Sequence, residues 1–103
     1  MSKSILFVCL GNICRSPTGE GVMQHLVEER GIESEISIDS AGTIGYHTGH
    51  GADDRMQAAA QKRGYDLQSR SRKITPRDLE TFDLVIAMAV SYTHLTLPTI
   101  YSV

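Results

Sequence analysis

The stretch VCLGNICRSPTGEG, residues 8–21, carries a thiol, Cys9, and a guanidinium, Arg15, separated by five residues. On a loop that hands over to a helix, the loop amides and the unpaired N–H groups of the helix start converge on one point, which suits an oxyanion. Leu10, Gly11, Asn12, Ile13 and Cys14 form that cradle, and Gly11 and Asn12 are the residue types that tolerate the positive φ it requires. The same positive surroundings favour the thiolate of Cys9, a nucleophile, with the Ser16 hydroxyl as a further donor to the sulfur. Arg15 adds a planar fork that grips two oxygens of a phosphoryl group and tightens as they spread toward the transition state. Together these groups suit covalent catalysis, in which a phosphocysteine forms and water then hydrolyses it. A Cys and an Arg at this spacing also arise by chance, as a half-buried thiol beside a surface cation. The apolar run before the motif and the helix signals after it favour the catalytic reading.

Those signals define the elements that must position the loop. Ser4–Val8 is β-branched and aromatic without polar alternation, as in a strand buried on both faces. Ser16 is a cap, Pro17 suits a first helical turn, and Val22, Met23, Leu26 and Val27 make a stripe that predicts a helix over 17–30, stopped by Gly31. Glu35–Asp39 predicts a second strand running into the loop that opens at Ser40. A second helix is expected over Asp53–Arg63, with Asp53 and Asp54 as helix-start acids, and Gly64 after it. Thr75, Pro76 and Asp78 make a capping-box pattern for a short third helix, and Asp83–Met88 a third strand. This order implies an α/β fold, an open parallel sheet with helices on both faces, whose ligands bind at the carboxyl ends of the strands.

With 103 residues the chain suffices for one domain, and its net charge of -2 gives no general attraction to nucleic acid or anionic membrane. Gly11 and Asn12 interrupt Ile5–Leu10 before it could serve as a signal core or a span, so a cytoplasmic setting is expected. Two cysteines in such a setting read as free thiols rather than a staple. Residues 84–103 contain no charged side chain. From Val90 onward neither a helical stripe nor a matching strand is visible, and Pro98 disfavours a central strand. The division expected is therefore a domain over 1–89 and a tail over 90–103, either of separate origin or completing the sheet of a natural short variant.

At VCLGNICRSPTGEGV the chain resembles the low-molecular-weight protein tyrosine phosphatase family, matching its signature C-x-G-N-x-C-R-S-P. The resemblance implies Cys9 as nucleophile, Arg15 as phosphate clamp, Asn12 as loop brace and Ser16 as thiolate partner. It further implies that Ser40, in DSAGT, ties down the loop asparagine and that Tyr46 stands on the cleft wall. Arg55 in ADDR, RSRKIT and TFDLVIAM also fit, so the likeness runs from residue 4 to about 88. It implies a phosphotyrosine-containing protein or peptide as substrate, inorganic phosphate as product and inhibitor, and no cofactor. Two departures stand out. Met88 is followed by Ala89 where the family has Asp, and no Asp occurs after Asp83, whereas the family takes its general acid from a later Asp-Pro pair. The last strand and helix of that fold are accordingly expected to be missing.

Other candidates carry a plainer reading. His25, His47, His50 and His94 lack zinc-ligand spacing, and His25 belongs beside the apolar stripe as a partly exposed residue. Cys14 is either a loop-packing side chain or the partner of a reversible disulfide with Cys9. Arg70, Arg72, Lys73 and Arg77 form a solvated basic face or a recruiting patch for acidic phosphopeptides. Arsenate reduction on the same fold needs further cysteines, which the chain lacks beyond Cys14, and a non-catalytic phosphate-binding fragment is the remaining alternative.

Overall fold

A computed structural model of the chain describes residues 3–13, 15–45, 48–88 and 100–102. The apolar run near the start is β1, Lys3–Cys9, in the interior of a four-stranded sheet. β2, Ile36–Gly42, pairs with it in parallel on one side, and β3, Leu84–Ala87, on the other. Ile100–Ser102 forms β4, parallel to β3 at the edge, giving the order β2-β1-β3-β4. The strand order therefore reverses at β1, and Cys9 closes the strand where an open parallel sheet offers its crevice.

Leu6 and Val8, both without exposed surface, meet Ala41 and Val85 in a core that Ile74, Leu79 and Phe82 complete. Alternation sends Phe7 to the opposite face. There it lies under α1, Arg15–Glu29, so closely that a Cβ on Gly19 would come within 2.9 Å of the ring. With α3, Pro76–Thr81, on the first face, the sheet is covered on both sides, as the pattern implied. A second small core joins Ala52, Ala60 and Leu67 beneath α2, Asp54–Lys62.

The helix ends follow local rules. α1 stops at Gly31, φ +67°, where Ile32 N–H reaches Val27 O and Gly31 N–H reaches Glu28 O, the paired bonds of a glycine C-terminus. Asp53 caps α2 by accepting from the N–H groups of Arg55 and Met56, and Thr75 with Asp78 forms the expected capping box of α3. Two expectations need correction. α1 begins at Arg15, so Ser16 is its second residue and not its cap; its hydroxyl is drawn inward by the preceding loop. Within the tail, the sequence pattern gives no strand, yet residues 100–102 make one, because a three-residue edge strand is specified by backbone pairing with β3 rather than by its own periodicity.

Candidate active site

The loop between β1 and α1 is built around Asn12, which is 1 % exposed and adopts φ 57°, the left-handed conformation expected of it. Its side chain makes three hydrogen bonds. Oδ1 accepts the N–H of Arg72 at 3.0 Å, which leaves Nδ2 to donate to Ser16 Oγ at 2.7 Å and to Ser40 Oγ at 2.9 Å. Its main-chain carbonyl accepts from Ser71 Oγ at 2.6 Å. One side chain thus joins the loop to α1, to β2 and to the segment before α3.

Cys9, 6 % exposed, receives the consequence of this arrangement. Its Sγ accepts the Asn12 N–H at 3.3 Å and lies 3.0 Å from Ser16 Oγ. Ser16 accepts from Nδ2 and retains its own proton, so toward a Cys9 thiolate, which has none to give, Ser16 is the donor. Two donors aimed at one sulfur favour its anionic form.

Three loop carbonyls are turned to outer backbone partners. Cys9 O accepts from Thr43 N–H at 3.0 Å, Leu10 O from Ile44 N–H at 3.0 Å, and Ile13 O from Asp53 N–H at 2.7 Å. In a trans peptide the next N–H points the opposite way. The N–H groups of Leu10 and Gly11 are therefore turned away from those partners, toward the inner side of the loop, as an anion cradle requires. Gly42 permits this packing, since a Cβ there would lie 2.9 Å from Leu10 O and 3.1 Å from Asn12 N. Arg15 is exposed at the first position of α1, and Leu10 is 57 % exposed beside the loop.

Of the anticipated residues, the structure brings together Cys9, Asn12, Ser16 and Ser40 by direct hydrogen bonds, with Leu10, Gly11 and Ile13 supplying the backbone and Arg15 closing the loop. Cys14, Tyr46, His47 and His94 lie outside the described residues. His25 sits on the surface of α1, paired with Glu29 at 3.4 Å and edge-on to Tyr65 at a centroid distance of 5.1 Å. His50 is exposed. Among the described residues no group of three or more His, Cys, Asp and Glu side chains is arranged to hold a metal, and no helix is long and apolar enough to cross a membrane.

Arg72 corrects the reading of residues 70–77 as a uniformly solvated basic face. Its guanidinium meets Asp78 through both terminal nitrogens, at 2.9 and 3.1 Å, and Asp39 at 3.0 Å. Arg70, Lys73 and Arg77 are exposed. The hydrogen bonds to Asp78 raise the Arg72 pKa further. Burial works against the Asp78 carboxylate, but bonds from Arg72 and Thr75 outweigh it and hold the carboxyl below its usual range.

The pattern also missed Glu20, whose carboxylate accepts the Ser40 hydroxyl at 2.5 Å. Burial raises its pKa, against the lowering effect of Ser40. A signal existed: Glu20 stands one helical turn after Ser16, between two glycines on the face of α1 that meets the sheet and Leu67.

The low molecular weight phosphotyrosine protein phosphatase family model matches residues 4–99. The chain belongs to that family. A putative low molecular weight protein-tyrosine-phosphatase of Synechocystis is 49 % identical over 84 residues, which is 82 % of this chain and 54 % of the relative. The human low molecular weight phosphotyrosine protein phosphatase is 44 % identical over 84 % of this chain and 55 % of its own. The chain thus spans about half the length of these curated relatives. Among solved structures, a protein tyrosine phosphatase from Entamoeba histolytica superimposes with a TM-score of 0.82 at 45 % identity, over 84 % of this chain and 56 % of that one. YfkJ from Bacillus subtilis superimposes with a TM-score of 0.90 at 32 % identity, over 99 % and 70 %. In this family setting the loop from Cys9 to Arg15 is the candidate phosphate loop.

Proposed function

We propose that the chain is the phosphate-binding and nucleophile-bearing part of a cysteine-dependent protein tyrosine phosphatase. The observation that carries the reading is the convergence of Asn12 N–H and the Ser16 hydroxyl on Cys9 Sγ, at the mouth of a loop in which the Cys9, Leu10 and Ile13 carbonyls face outward. The phosphoryl group of a phosphotyrosine side chain binds against the loop amides and the Arg15 fork. The thiolate then forms an S–P bond while the P–O bond to the tyrosyl oxygen breaks. Water next attacks phosphorus, breaks the S–P bond, restores the thiolate and releases inorganic phosphate, which also inhibits by occupying the loop. Leu10 and Ile13 flank the substrate, with Cys14 and Tyr46 expected beside them from the family resemblance alone, and the substrate is a phosphotyrosine-containing protein or peptide. No cofactor, nucleic acid or membrane enters the scheme, and a cytoplasmic setting suits thiolate chemistry.

No Asp follows Asp83 within these 103 residues, so a polypeptide of these residues alone would release the tyrosyl oxygen unprotonated or with a proton from water. Loss of a positioned acid costs on the order of 10² to 10⁴ in rate. Aryl phosphates with acidic leaving groups are therefore spared relative to phosphotyrosine, which paired kcat/KM values will measure; equal slowing of both contradicts the account. Cys9→Ser is expected to abolish turnover of even activated aryl phosphates, with trapping of a phosphorylated protein as the direct readout. For residues 1–103 alone a second reading is a phosphate-binding fragment without turnover, which vanadate binding with no aryl phosphate hydrolysis would establish.

A further inference from the structure

Ser40 is 1 % exposed and accepts one hydrogen of Asn12 Nδ2, so its own proton requires another acceptor, and Glu20 Oε1 is placed to take it. Without that acceptor a buried hydroxyl proton is stranded, at a cost of about 1–3 kcal/mol. It cannot turn to Nδ2, which has no lone pair to offer. The same nitrogen's second hydrogen goes to Ser16 Oγ, which leaves the Ser16 proton to be donated to a Cys9 thiolate 3.0 Å away. Arg72 N–H at Oδ1 keeps the amide from flipping, so Nδ2 faces both hydroxyls. We infer that Glu20 is a positioning residue for Cys9, its carboxylate holding Ser40 as the acceptor that seats Asn12 Nδ2 and, through Asn12 and Ser16, the sulfur.

The inference rests on the phosphatase reading only in treating Cys9 as the nucleophile. Protonation of Glu20 replaces the charge-assisted bond from Ser40 by a weaker neutral one and so loosens the relay at its far end. The charged groups acting on Glu20 are Asp39 from β2, which opposes its ionisation, and Arg72, which favours it; His25, Glu28 and Asp66 line the groove on its outer side. Ser69 also bonds to it. Burial sets the balance and moves its titration above the ordinary Glu range.

The test is the rate of iodoacetamide alkylation at Cys9, resolved from Cys14 by fragmentation mass spectrometry, in the full chain between acid and neutral pH. Glu20→Ala is expected to slow alkylation about fivefold to tenfold at neutral pH. Glu20→Gln retains an acceptor oxygen, so it stays within about twofold of wild type there while losing the acid-side step in the profile. Wild-type reactivity in Glu20→Ala, or an acid-side step that survives in Glu20→Gln, overturns the inference. Should Glu20→Ala fail to fold, the Glu20→Gln profile decides alone. A relay-dependent thiol with no hydrolysis of aryl phosphates removes the phosphatase reading and keeps the relay, whereas an active enzyme with a Glu20-insensitive thiol does the reverse.

Discussion

The two sides of Asn12 are braced by carboxylates of opposite character. On the Nδ2 side, Glu20 meets a neutral hydroxyl, Ser40, and burial pushes its pKa up. On the Oδ1 side, Asp78 meets a guanidinium through two nitrogens, and its carboxyl is held below its usual range despite burial. The Asp78 side is a fixed anchor: Arg72 joins Asp39 of β2 to Asp78 of α3 and presents its own N–H to the loop. The Glu20 side is titratable. A carboxylate beside a cation stabilises geometry, while one that is partly buried beside a hydroxyl holds its proton more readily than a free Glu.

Removing the shared centre tests the comparison most severely. Asn12→Ala deletes three side-chain hydrogen bonds and leaves a residue with a Cβ at φ 57° with no local compensation, so kcat/KM toward an activated aryl phosphate is expected to fall on the order of 10²-fold or more. A loss below about threefold would mean that the loop holds its shape without either brace.

Asp78→Asn weakens one side only. It replaces charge-assisted bonds by neutral ones, and denaturant unfolding should show a loss of about 1.5–3 kcal/mol at neutral pH. The pH dependence separates the two sides by sign. The depressed Asp78 value gives stability that is present above the ordinary Asp range and lost as pH falls through the folded-state value. The raised Glu20 value has the opposite effect: the fold holds that proton more tightly than the unfolded chain, a contribution lost as pH rises from the ordinary Glu range through the raised value. Thermal melting across acid pH should therefore be flatter in Asp78→Asn, and Glu20→Gln should not lower the melting temperature at neutral pH. A lower melting temperature in Glu20→Gln would show that its negative charge, rather than its acceptor oxygen, supports the fold.

The smallest effect sharpens the picture of the anchor. Thr75→Ala removes the cap of α3 and one bond to Asp78, at a cost of about 1 kcal/mol by denaturant unfolding, with little change in kcat/KM because Arg72 still holds the loop.

Cys9, Arg15 and the strand, loop and helix that carry them were legible because each is written in consecutive residues: an apolar run, a Gly-Asn pair that tolerates a left-handed turn, a proline in the first helical turn and a glycine past the helix end. The capping box at Thr75 and the helix-start Asp53 were legible for the same reason, since a cap bonds to N–H groups two or three residues away. What spacing cannot encode is which distant partners a buried polar atom finds. Arg72 reads as one of four basic residues until the fold brings Asp39, 33 positions earlier, against it, and its N–H reaches Asn12 across 60 positions. Ser16 reads as a helix cap until the fold sets its hydroxyl between Asn12 Nδ2 and Cys9 Sγ. The sequence by itself marked out the candidate nucleophile, the candidate cradle and the order of elements as far as β3, because those depend on local conformational preference. Only the tertiary structure decided the direction of each hydrogen bond around Cys9, because a hydroxyl's sense depends on everything buried with it.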